Sequence, residues 1–228
     1  SEGSGAASYP RQYVTSVDLR EDIYKTDKIV LRELPDGTYA GVFEITQAQY
    51  ENVTGLTPSG FSGNPMRPVE MVSWNDITDT GNYTAGFIAD LRSKAGLSAL
   101  DLPSSEVWEY ACRAGASNDF NDYTQGNGHG TNWDGVSTAD TTLDHLGWYV
   151  ENSGNETQAV GGKQANAWNI YDTHGNLWEW TATLAGAYRV HFAGAWYGPA
   201  EYCQADYFDD SGADNLPDVQ GDYIGFRL

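Results

Sequence analysis

The sequence predicts an α+β domain with few strands and long ordered loops. Three observations carry that expectation: a hairpin signal near the start, helical periods confined to the first half, and a second half rich in glycine and aromatic residues with no sustained period. In "KIVLRELPDGTYAGVFEIT" two short apolar runs flank Pro35-Asp36-Gly37, where proline fixes φ and glycine accepts the positive-φ position of a tight turn. A hairpin therefore opens the fold.

Three helices follow. Thr46 is placed to cap "TQAQYENVTG", Gln49 completes a capping box and Gly55 stops the helix. In "AGFIADLRSKAG" Phe87, Ile88, Leu91 and Ala95 share one face, and Gly96 ends the pattern. "PSSEVWEYACRAG" is expected to start at Pro103 and to bury Val107, Trp108, Ala111 and Cys112. Between the first two helices, "RPVEMVSWND" reads as a strand. Beyond residue 115 the helical period disappears, so long loops must be held by something other than ladder hydrogen bonds.

The 228 residues carry 32 Asp and Glu against 12 Lys and Arg, a formal charge of -20. Such a field repels phosphate backbones and anionic lipid, so nucleic acid is not an expected partner. Residues 1–20 read as a flexible tail or tag remnant and 21–228 as one domain. No apolar run reaches the roughly 18 residues of a membrane span and no leader pattern is present, so neither direct membrane insertion nor a signal peptide is expected in the chain as given.

Cys112 and Cys203 lack the CxxC spacing of a zinc site or redox pair, and read as buried apolar thiols or as one mutual disulfide. The sequons at Asn52, Asn82 and Asn155 matter only on a eukaryotic secretory route. His129, His145, His174 and His191 show no metal-ligand spacing, and no GxSxG elbow marks a serine hydrolase. His174, inside the "THGN" turn, reads as a brace for the backbone.

The order of motifs resembles a known family. "RPVEMVSWND", "DLPSSEVWEYACRAGA", "NAWNIYDTHGNLWEW", "RVHFAGAW" and the final "GFRL" follow one another as in the formylglycine-generating-enzyme/sulfatase-modifying-factor domain, over about residues 38–228. The resemblance implies a C-type lectin-like fold of the formylglycine-generating-enzyme type, loop-rich, with few strands and two main helices. Enzymes of that family oxidise a substrate cysteine with a pair of copper-bound cysteines, and the matching positions here read Gly198 and Cys203. A lone sulfur cannot give Cu(I) a bis-thiolate site, so no catalytic residue is assigned. The iron sulfoxide synthases of the family take their histidines largely from a further helical domain that has no counterpart in this chain.

Family members bind calcium at positions matching Asp172, Gly175, Leu177 and Glu179, the first and last through carboxylates and the others through carbonyls, with Asn176 bracing the turn. The same residues also read as turn caps among Trp168, Trp178 and Trp180. A structural Ca2+ and a metal-free turn both stand as expectations.

From His191 to Phe226 there are seven acids and no Lys or Arg, interleaved with Trp196, Tyr197, Tyr202, Tyr207 and Phe208. Aromatic rings among small polar residues suit an adaptable binding surface. This segment, about 186–224, resembles that of the variable proteins of diversity-generating retroelements, whose C-terminal codons are rewritten while a lectin-like scaffold is kept. An ordinary surface loop of the family is the other reading.

The sequence is thus read as a non-catalytic display protein, monomeric, binding a protein or glycan through His191, Trp196, Tyr197, Glu201, Tyr202, Asp206, Tyr207, Phe208, Asp209 and Asp210, with display on a virion or cell surface. The acidity favours basic or hydrogen-bond-donating ligands. A divergent metal-dependent oxidoreductase built on Cys203 and a structural accessory domain are the alternatives.

Overall fold

The computed structural model describes residues 11–78, 86–121 and 141–228; Asn82 and His129 lie outside them. A short turn of helix, α1 (Ile23–Thr26), leads into the hairpin of β1 (Leu31–Glu33) and β2 (Tyr39–Gly41), whose antiparallel register pairs Leu31 with Gly41 and Glu33 with Tyr39. Gly37 takes the left-handed φ of 88° that the turn requires. Packing reaches back to Leu19, which lies against Val42, Phe43 and Val160.

Helix α2 (Gln47–Thr54) begins as its capping residues dictate. The Thr46 side chain accepts from Gln49 N–H, the Gln49 side chain accepts from Thr46 N–H at 3.0 Å, and Gly55 closes the helix in the left-handed region. The expected strand in "RPVEMVSWND" is corrected to one bridge, Thr46 to Pro68, and a short helix, α3 (Trp74–Thr78). Asp76 explains the change: its carboxylate accepts from Ser73 N–H at 2.8 Å while Ser73 Oγ accepts from Asp76 N–H at 3.1 Å, so a local cap turns the chain out of extension.

Helices α4 (Phe87–Ala95) and α5 (Ser105–Arg113) complete the first half. The latter is capped by Ser104 rather than started by Pro103, and Val107 is half-buried while Trp108, Ala111 and Cys112 are buried. The Tyr50 and Phe87 rings stack at 5.4 Å, and Phe226 meets both edge-on, so α2, α4 and the C-terminus share one core.

The second half holds the single turn α6 (Leu143–Leu146) and a four-stranded sheet in the order β5 (Phe208–Asp209), β4 (Tyr188–Phe192), β3 (Trp178–Ala185), β6 (Ile224–Gly225). Only β3 and β6 run parallel. Ladder bonds are therefore present in the half expected to be held mostly by other means. Strand β3 escaped the alternation rule because residues 178–181 are all buried, covered on both faces, and only the second half alternates.

Candidate functional site

Two regions contain the residues singled out by sequence: a buried carboxylate cluster under the "YDTHGNLWEW" turn, and the surface between β4 and β6.

The turn is held by backbone constraint. Asp172, Gly175 and Asn176 all take left-handed φ values, 56°, 105° and 67°. A Cβ at Gly175 would collide with the Trp148 carbonyl. Asn176 braces the turn: its amide donates to Glu44 Oε2 at 2.7 Å and its oxygen accepts from Gln158 N–H at 2.8 Å. Glu44, Asp172, Glu179 and Arg227 are all buried here.

Both Glu179 oxygens are committed. Oε2 accepts from Trp108 Nε1 and Arg227 Nε, each at 2.6 Å, and Oε1 accepts from Arg227 Nη2 at 2.5 Å. The guanidinium also donates to the carbonyls of Tyr171 at 3.0 Å and Asp172 at 3.2 Å. Asp172 Oδ2 accepts from Gly161 N–H at 2.6 Å, and Oδ1 has no partner. The positive charge that a calcium ion would bring is already supplied by Arg227, and Glu179 turns toward it. Asp172, Gly175, Leu177 and Glu179 in this arrangement do not fit a calcium shell. Among the described residues no three His, Cys, Asp or Glu side chains gather around a metal position. Three carboxylates facing one guanidinium leave negative charge in excess, and burial pushes the Asp172 carboxyl up to about 6 and Glu44 well above the usual carboxylate range.

Cys203 and Cys112 are free and buried, on either side of His174. His174 Nδ1 donates to the Cys203 carbonyl at 2.7 Å, so Nε2 is the acceptor, taking Asn121 N–H at 3.4 Å with Cys112 Sγ 3.9 Å away. The residue types Cys, His and Asn meet here, but sealed from solvent. Burial holds the Cys112 thiol up at about 12, raises that of Cys203 further, and holds His174 down at about 4, so both sulfurs are neutral thiols. Gly198 occupies the other oxidase position, and a Cβ there would approach Tyr202 Cδ2 at 3.3 Å.

Trp196, Tyr197, Glu201, Tyr202, Asp206, Tyr207, Phe208, Asp209 and Asp210 are exposed or half-buried, and ring contacts join Trp196 to Tyr197 and Tyr202 to Tyr207. The exposures of Tyr197 and Phe208 are 44% and 49%. His191 is corrected: it faces inward at 2% exposure, edge-on to Trp178 at 4.9 Å and to Trp180 at 5.5 Å, because buried positions end β4. Two further half-buried rings, Phe61 and Tyr223, lie against these side chains, and the buried Trp178 backs them. Trp178 lies 6.2 and 6.1 Å from the Tyr202 and Tyr207 rings, Tyr223 lies 5.7 Å from Tyr197, and Phe61 meets Trp196 at 5.4 Å. Tyr223 lies inside the 186–224 segment read as a recognition surface, whereas Phe61 is distant in sequence and carries no local signal.

What holds this segment is backbone. The carbonyls of Ala193, Gly198, Pro217 and Gly221 accept from Gly175, Val150, Asn75 and Met71 N–H at 2.6, 3.1, 2.9 and 2.9 Å, and Ala205 N–H donates to Asp119 at 2.8 Å. Trp196 is fixed at both ends of its peptide, donating to the Asn176 carbonyl at 2.9 Å and accepting from Ser153 Oγ at 2.8 Å.

Residues 12–228 match the sulfatase-modifying factor enzyme 1-like domain. The chain belongs to that family. The chain is 28% identical over 218 residues to the chaperone protein LppX of Paenibacillus barcinonensis, covering 80% of this chain and 78% of that protein. It is also 28% identical over 196 residues to the formylglycine-generating enzyme of Streptomyces coelicolor, covering 74% of this chain but 54% of the enzyme, so it spans about half that relative's length. Among solved structures, Treponema denticola variable protein 1 superposes with a TM-score of 0.65 at 24% identity, covering 83% of this chain and 82% of that one. The sulfatase-modifying factor fold, in its C-type lectin-like form, is thus shared with a variable protein. No helix among the described residues is long and apolar enough to cross a membrane.

Proposed function

We propose that this chain is a non-catalytic member of its family that binds a macromolecular ligand through the surface between β4 and β6, in the manner of a variable protein displayed on a virion or cell surface. One observation carries the reading: segment 193–221 is attached to the scaffold mainly through main-chain atoms and buried small residues, while the exposed aromatic and acidic side chains make few scaffold bonds. Such a surface can change its side chains without unfolding the domain, which is what a recognition face on a fixed scaffold requires. The shared fold with a variable protein supports it.

The oxidase alternative is disfavoured by Gly198 and by the sealed, neutral Cys203 thiol. Oxygen uptake with a cysteine-containing peptide and Cu(I) tests this directly. No copper-dependent turnover is expected, and turnover abolished by Cys203→Ala would reject the non-catalytic reading.

A further inference from the structure

Resting on that binding reading, we propose that the ligand is a protein presenting arginine or lysine side chains to the acidic tyrosine cluster of this face. The rings come first. Tyr202 and Tyr207 lie 4.9 Å apart at 33°, backed by Trp178, and Tyr197 packs between Trp196 and Tyr223 at 5.4 and 5.7 Å. Their outer faces offer the negative quadrupole that attracts a guanidinium or ammonium.

The acids are interleaved with these rings. Burial is the main cause that raises the phenols of Tyr207, Tyr197 and Tyr223, and nearby acids add to it, Asp209 and Glu201 at Tyr207 and Asp214 at the other two. All 12 Lys and Arg of the chain lie within the described residues, and only Arg113 reaches an acid of the segment, Asp206 at 3.5 Å. Arg189, on β4 itself, is spent in stacking 3.5 Å over Trp74. Among the described residues, the other six acids have no Lys or Arg within ion-pair distance.

A buried acceptor behind the face has the same polarity. Asn215 is buried and its Oδ1 meets no donor, although its amide donates to the carbonyls of Arg189 at 3.2 Å and Asp209 at 2.9 Å. His191 pairs with Asp209 across the β4–β5 ladder; burial holds its imidazole neutral near pKa 4, so one ring nitrogen keeps its N–H, and the Asn215 side chain is its polar neighbour. The unpaired carboxylates, with the Asn215 oxygen buried behind them, leave the face with a surplus of acceptors. Arginine and lysine side chains bring only donors, whereas an anion would add more acceptors.

The test is titration of the full chain with a capped Gly-Arg-Gly-Arg-Gly peptide and with its citrulline twin, which keeps the shape and loses the charge, read by hydrogen exchange over 197–210. The arginine peptide is expected to protect the face and the citrulline peptide not to. Asp209→Asn/Asp210→Asn/Asp214→Asn should weaken binding about ten-fold, while the equal charge loss Glu21→Gln/Asp22→Asn/Glu33→Gln, far along the chain, should weaken it less than about two-fold. Equal weakening by the two triples would reduce the effect to the overall charge and overturn the proposal. So would equal binding of the citrulline peptide. A neutral glycan or peptide that protects 197–210 when the arginine peptide does not would overturn the cation assignment and leave the binding face standing; no protection by any probe would count against the face itself.

Discussion

His174 Nδ1 stands 2.7 Å from the carbonyl oxygen of Cys203, joining the strained "THGN" turn to the middle of the proposed recognition segment. The imidazole is buried and also accepts from Asn121 N–H, so it fastens three stretches of chain that are distant in sequence. The side chain that matters at this junction is the histidine; Cys203 contributes its backbone oxygen and a sulfur packed over Gly194, where a Cβ would stand 2.7 Å from it.

Replacing His174 by Ala leaves a buried carbonyl and a buried N–H unmatched. The expected loss is about 2–3 kcal/mol, seen in calorimetry as a fall in Tm of roughly 5–10 °C. Cys203→Ala leaves the carbonyl in place and should cost only about 1–2 kcal/mol.

The Glu179–Arg227 pair is fully buried, so removing one partner strands the other. Arg227→Met should cost about 3–5 kcal/mol in a denaturant titration. Glu179→Gln, which keeps the shape and one acceptor, should cost less.

Calcium should have no hold on this turn. Chelation followed by addition of millimolar calcium is expected to leave Tm unchanged, because Arg227 already neutralises Glu179. A calcium-dependent rise in Tm would show that the guanidinium gives way to the ion.

The buried carboxyls set a sign for pH dependence. Asp172 has a folded pKa of about 6 against an ordinary 3.8, so its protonated form favours the folded state; that contribution is full below pH 4 and is lost as pH rises through 6. His174 works the other way: its contribution is full above pH 6.5 and is lost as pH falls through about 4. Asp172→Asn should therefore gain stability relative to the wild type as pH rises from 4 to 7, measured by urea unfolding at each pH.

Local chemistry was legible in the sequence wherever the deciding partners are neighbours. Thr46, Gln49 and Gly55 define α2, Gly37 the hairpin turn and Gly96 the end of α4 because caps and turns close within a few residues. The exposure of Tyr197, Asp206 and Phe208 agrees with the polar, glycine-containing stretch they sit in. Partners from afar were not legible: Glu44 sits 135 positions before Glu179, and both meet at Arg227 only after folding. An acid between Phe43 and Ile45 was the one available hint that an apolar run carried a buried charge. His191, on a strand, could face either the core or a ligand, and the sequence around it does not tell the two apart; the structure turns it inward.

On the proposed reading Tyr202 and Tyr207 pack against the core, while Tyr197, Glu201, Phe208 and Asp210 are carried by the scaffold without supporting it. The most direct test is the thermal midpoint of one variant with Tyr197, Glu201, Phe208 and Asp210 all changed to serine. The account predicts a Tm within about 4 °C of the wild type and an intact cooperative transition. A fall as large as that of His174→Ala, or loss of the transition, would contradict it.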